Sequence, residues 1–104
     1  MKQLQLQPRL QLLAELIPQD SRLADVGTDH GYVPVYLLQR SMIGTAIASD
    51  IGAEPLQHAV NTAEEYGVEG IDFRLCPGLD GIAPTECDTI LIAGMGRNKV
   101  LAHF

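Results

Sequence analysis

Basic residues are scarce. Seven lysines and arginines face thirteen acids, leaving a net charge of −6 over 104 residues. Phosphate affinity comes largely from clustered Lys and Arg, so this composition excludes a self-sufficient grip on nucleic acid. Arg9, Arg22, Arg40 and Arg74 stand singly, and only Arg97 and Lys99 lie close together. Cysteine is scarce too: Cys76 and Cys87 form no C-x-x-C spacing, which points to free thiols rather than a disulfide or a zinc site, and no metal is expected. No apolar run approaches the roughly 20 residues that span a bilayer. The polar start Met1-Lys2-Gln3-Leu4-Gln5 lacks the apolar stretch of a signal peptide. The expectation is a cytoplasmic protein with no membrane partner. Neither a Ser-His-Asp nor a Cys-His arrangement is legible, and repeats and low-complexity tracts are absent.

What is present is the composition of one ordinary folded domain, 46% hydrophobic and 19% charged. From Pro8 to Ile17, Leu10, Leu13, Leu16 and Ile17 recur at helical spacing, with Pro8 suited to a first turn and Pro18 closing the segment. Arg22 to Val26 reads as a short buried strand that ends in a Gly27-Thr28-Asp29-His30-Gly31 loop, and a helix follows from Tyr32 to Leu38. Thr45 to Asp50 is a second strand. Ala53 to Tyr66 is a helix with Leu56, Ala59, Val60 and Ala63 on one face and Gly67 as its stop. Further strands are predicted over Ile71 to Leu75, before Cys76-Pro77-Gly78, and over Asp88 to Ile92, before Ala93-Gly94-Met95-Gly96. Strands alternating with helices imply right-handed crossovers and a parallel sheet with helices on both faces. Ligands of such α/β sheets bind at the carboxyl ends of the strands. Asp29, Asp50, Gly78, Asp80 and Gly94 to Gly96 all fall there.

Gly27 and Gly31 open backbone conformations that other residues avoid and let a ligand approach the main chain. Asp50, at the end of the second strand, is placed to accept hydrogen bonds from the ribose hydroxyls of an adenosine-containing cofactor, to cap the helix that follows, or both. Asp25 and Asp29 flank Gly27, where two carboxylates would repel a pyrophosphate. A dinucleotide loop has the pattern G-x-G-x-x-G, whereas Asp29 stands where its second glycine would admit phosphate. S-adenosylmethionine carries a sulfonium and an ammonium instead, and a carboxylate attracts both. His30 and Tyr32 open the next helix, where either can cap the backbone or line the pocket. His58 and His103 read as solvated histidines without a role.

Asp25-Val26-Gly27-Thr28-Asp29-His30-Gly31-Tyr32-Val33-Pro34, Ile47-Ala48-Ser49-Asp50 and Asp88-Thr89-Ile90-Leu91-Ile92-Ala93-Gly94-Met95-Gly96 together resemble the bacterial tRNA (adenine-22-N1)-methyltransferases. The likeness runs in order from about Leu10 to Gly96. It implies a Rossmann-like class I methyltransferase fold, S-adenosylmethionine as donor and tRNA as substrate. By position, Asp25, Gly27, Thr28, Asp29, His30 and Gly31 would hold the methionine part of the cofactor, and Asp50 with Ile51 its ribose. Gly78 and Ala93 would complete the cofactor site. Tyr32, Gly94 and Met95 would border the target adenine, and the helix from Pro8 would cover the pocket. Asp29 is the one catalytic candidate.

The resemblance also sets the expected organisation: an amino-terminal helix over 1–19, the first half of the cofactor domain over 20–96, and an atypical tail over 97–104. The family pattern continues past Gly96 with another glycine, a helix, further strands and a helical domain that meets tRNA. A sheet stopping after its fourth strand is therefore expected, with an uncovered edge and weak methyl transfer. The alternatives are a silent chain that at most binds the cofactor, a class I methyltransferase with another acceptor and, more distantly, a dinucleotide oxidoreductase.

Overall fold

A computed structural model describes residues 2–93 and 99–104. Helix α1 spans Pro8–Leu16, strand β1 Arg22–Val26, α2 Tyr32–Gln39, β2 Thr45–Asp50, α3 Ala53–Glu65, β3 Ile71–Leu75, β4 Thr89–Ala93 and β5 Lys99–His103, with a 3₁₀ turn at Pro84–Glu86. The sheet order is β3-β2-β1-β4-β5. β1 runs parallel to β2 and β4, and β3 parallel to β2. Strand order reverses at β1, so the switch point that receives ligands in open α/β sheets lies between the carboxyl ends of β1 and β4.

Local chemistry explains the elements. Pro8 occupies the first turn of α1, where its missing N–H costs nothing. α2 is apolar almost all round and buries Val33, Pro34, Val35 and Leu37. α3 is amphipathic, burying Ala59, Thr62 and Ala63. It closes at the Tyr66 cap, followed by Gly67, whose φ of +66° suits glycine. The crossovers β1-α2-β2 and β2-α3-β3 step the same way along the sheet, so right-handedness puts both helices on one face. Ala14 and Ile17 of the α1 region and Val33 and Leu37 of α2 pack there on Leu23, Ala46 and Leu91. Val35 and Ala63 pack with Leu4, beside Ile71 and Phe73.

Coverage of the two faces is unequal. All three helices of the described residues take one face. Ala24, Val26 and Ile47 on the other are met by Ile82 and Cys87, from the segment around the 3₁₀ turn. Leu16 departs from its expected place: it is 65% exposed, while Ala14 is buried. It lies roughly a third of a turn round the helix from Leu10, outside the inward stripe.

A larger correction concerns the sheet's end. It does not stop at the fourth strand, because β5 pairs antiparallel with β4, from Thr89↔His103 to Ala93↔Lys99. Leu101 lies opposite Leu91 and joins the helix-side core. The stretch expected to be a foreign tail therefore covers the edge of β4 and satisfies its backbone groups.

Candidate functional site

The loop after β1 is built from hydrogen bonds to β2. The amides of Gly27 and Thr28 both donate to the Ser49 carbonyl at 2.9 Å. Gly27, Asp29 and Gly31 take φ values of +72°, +55° and +70°. At Gly31 glycine is required twice over, by that φ and by α3: an added Cβ would stand 2.9 Å from Ala59 Cβ. Asp29 bears the left-handed conformation without being glycine, and its amide donates to Asp50 Oδ2 at 3.1 Å. Asp50 Oδ1 accepts the Gly52 amide at 3.0 Å, so this carboxylate joins the loop to the start of α3. The capping reading of Asp50 holds in this sense, and each oxygen keeps a lone pair for a further donor.

Asp25 behaves differently from Asp29. Its side chain is 1% exposed; Oδ2 accepts the Thr28 hydroxyl at 2.7 Å, and Oδ1 accepts Lys99 Nζ at 3.2 Å. A buried carboxylate left unpaired would be costly, and the ammonium from β5 compensates it. Asp29 is 64% exposed at the lip, with Oδ2 3.8 Å from His30 Nε2. The two carboxylates flanking Gly27 therefore do not both face outward freely, as the sequence suggested.

A cleft of about 530 Å³ lies over this loop. Gly27, Thr28, Asp29, His30 and Tyr32 line it from the loop, Leu4 to Gln7 with Arg9 and Leu10 from the amino-terminal segment, and Lys99 and Tyr66 also contribute. Of the residues expected to bind a ligand, five thus converge on the cleft. Asp25 and Asp50 stand behind its loop as supports. Ile51 is exposed beyond β2. Gly78 lies outside the cleft, with no atom within 4 Å of where its Cβ would be. Gly94 and Met95 lie outside the described residues, and of Ala93 only its place at the end of β4 is described.

Several residues of the cleft were not foreseen. Leu4, Gln5, Leu6 and Gln7 precede α1 and carried no motif. Lys99 comes from a strand that was not predicted. His58, expected to be solvated, stacks on His30 with ring centroids 5.1 Å apart and planes 4° apart, and Tyr32 also stacks on His30 at 5.1 Å. His103 also has a partner, Thr89 Oγ1 at 2.8 Å from its Nδ1. Both cysteines are free, and burial raises the pKa of the Cys87 thiol.

Among known proteins, the chain is 39% identical over 104 residues to the tRNA (adenine(22)-N(1))-methyltransferase of Bacillus subtilis (strain 168), covering 99% of this chain and 43% of that relative. It spans well under half the length of that curated relative. A protein of the NADB-Rossmann superfamily from Streptococcus agalactiae superposes with a TM-score of 0.83 at 43% identity, over 90% of this chain and 43% of that one. M. capricolum TrmK, solved in complex with S-adenosyl-homocysteine, its natural cofactor product, superposes at 0.77 with 38% identity, over 86% of this chain and 41% of that one. A model of the methyltransferase domain matches residues 6–102, a span that takes in the helices, the glycine loop, most of the cleft lining and most of β5. With nearly its whole length inside that match, the chain belongs to the methyltransferase-domain family.

Proposed function

We propose that this chain forms the cofactor-binding part of an S-adenosylmethionine-dependent methyltransferase that acts on N1 of an adenine, position 22, of tRNA in the cytoplasm. The observation that carries the reading is the charge of the cleft loop: Asp29, 64% exposed at the lip beside Gly27, stands uncompensated by any lysine or arginine among the described residues, whereas the buried Asp25 is already paired with Lys99. Such a loop suits a ligand with cationic groups and repels a phosphate. The relative's activity on adenine 22 of tRNA and the S-adenosyl-homocysteine complex of the similar structure support the same assignment.

The loop residues Gly27, Thr28, Asp29 and His30, which line the cleft, support a cofactor seated there, and the remaining assignments follow from the family resemblance. Asp25, Gly27, Thr28, Asp29, His30 and Gly31 would hold its methionine part, Asp50 and Ile51 its ribose side, and Gly78 and Ala93 its remaining contacts. When bound, S-adenosylmethionine supplies an electrophilic methyl group. Adenine N1 has its lone pair in the ring plane and needs alignment rather than a base, so the work of the cleft walls is orientation. Tyr32, with Gly94 and Met95, would border the base, which must first leave its pairing partner. Asp29 would place negative charge where an alkylated adenine becomes cationic. Net charge of −6 and seven basic residues leave most of the grip on tRNA to be supplied outside this chain.

Calorimetric titration of the 104-residue chain with S-adenosyl-homocysteine, alongside methylation assays on bulk tRNA and on protein acceptors, tests the proposal. Saturable binding weakened by Asp29→Asn is expected, with slow transfer confined to tRNA. Absence of both heat and thermal shift would remove the cofactor assignment, and transfer only to protein would remove the tRNA acceptor. One observation favours a silent chain: Lys99 already occupies the cationic place beside Asp25. Absence of transfer by the parent, with transfer gained in Lys99→Met, would establish that reading.

A further inference from the structure

We propose that Asp29, His30 and His58 form a site for a late first-row divalent cation, zinc or nickel, at the mouth of the cleft. One ligand atom from each of the three lies within 4.8 Å of the others, and Asp29 Oδ2 is 3.8 Å from His30 Nε2. Bonds of about 2.1 Å to a tetrahedral ion would place donors roughly 3.4 Å apart. Closing that gap takes a shift of roughly 1 Å at side-chain ends.

The backbone is already arranged for this. Asp29 is tied through its amide to Asp50, and Ala59, next to His58 on α3, packs beneath Gly31 at a distance no side chain could share. Loop and helix are thus locked together, while the donor ends stay free: the side chains of Asp29 and His30 are 64% and 44% exposed. The His30 and His58 rings lie parallel, so their nitrogens do not yet aim at one point. Turning them uses the soft χ2 torsion and gives up the stacking of His30 on His58 and on Tyr32, two contacts together weaker than two metal–imidazole bonds. Two imidazoles and one carboxylate select zinc or nickel over magnesium and calcium, which prefer all-oxygen shells. Three protein ligands leave a fourth position for water or an incoming donor.

This site stands on the chain's own donors and does not rest on the methyl-transfer reading. Because Asp29 belongs to both, a bound ion would withdraw its carboxylate from the cleft, and ion and cofactor would weaken each other's binding.

Metal-free 104-residue chain titrated calorimetrically with zinc chloride, and separately with nickel chloride, in excess magnesium tests the site. A single saturable site is expected. His58→Ala, His58→Gln and His30→Gln should each weaken it by about tenfold or more, with far-UV circular dichroism confirming that the fold is kept. His103→Ala and Cys76→Ser should leave it unchanged. No saturable binding, binding indifferent to both His58 variants, or binding lost in Cys76→Ser would overturn the proposal.

Discussion

The Asp29 amide donates to Asp50 Oδ2 at 3.1 Å, so the loop after β1 takes its shape from the last residue of β2. The same carboxylate accepts the Gly52 amide at 3.0 Å. Asp50→Ala would leave both donors without a charged acceptor and is expected to cost about 3 kcal/mol. Asp50→Asn, which keeps one carbonyl oxygen, should cost less. Urea unfolding of the two variants checks the order, and equal midpoints for parent and Asp50→Ala would contradict it.

Asp25 and Lys99 make the other charged contact of the loop. Lys99→Met leaves Asp25 buried with the Thr28 hydroxyl alone, an expected loss of about 3 kcal/mol. If the proposed cofactor presents a cation to Asp25, saturating S-adenosylmethionine should stabilise Lys99→Met more than the parent. Unfolding curves with and without ligand give the comparison. Identical ligand-induced shifts would show that Lys99 and the ligand do not compete for this carboxylate.

Gly31→Ala places a methyl 2.9 Å from Ala59 Cβ at a φ of +70°. Strain and overpacking together are expected to cost about 2 kcal/mol and lower the melting temperature. Gly44→Ala is the control, since nothing lies within 4 Å of its would-be Cβ. A larger loss at Gly44 than at Gly31 would refute the packing argument.

Acid should act through Glu86. The Arg74 guanidinium, with help from the Ala83 amide, holds the Glu86 carboxyl down at about 2, against an ordinary 4.5. A carboxyl lowered by folding contributes stability above 4.5 that is lost as the pH falls toward 2. Glu86→Gln should remove this part of the acid dependence, modestly, because the pair is partly exposed. Stability measured from about pH 6 to about pH 2 should therefore converge for the two proteins in acid; parallel curves would exclude the role.

Much of this was legible because the chemistry is local. The apolar runs of β1 and β2, the glycines at 27 and 31 and the acid at 50 carry their structural reason within a few residues. β5 was not foreseen, because a short run such as Lys99 to His103 becomes a strand only against β4. Lys99 reaches Asp25 across 74 positions of sequence, a contact that no pattern encodes. The His30 and His58 stack likewise depends on how closely α3 settles on Gly31. On the helix side, the α1 periodicity counted Leu16 inward, because spacing alone does not locate the centre of an apolar stripe.

The sheet order has a kinetic consequence. β1, β2 and β3 are joined by crossovers, and β4 with β5 makes an antiparallel pair of near neighbours in sequence, whereas Leu23 meets Thr89 only after the intervening chain is gathered in. Closing that loop costs the most chain entropy, so the seam beside the cleft is expected to zip last during refolding. In pulsed hydrogen exchange, amides bonded between β1 and β2 should then gain protection before those bonded between β1 and β4. On that schedule the ligand cleft is among the last features to acquire its shape.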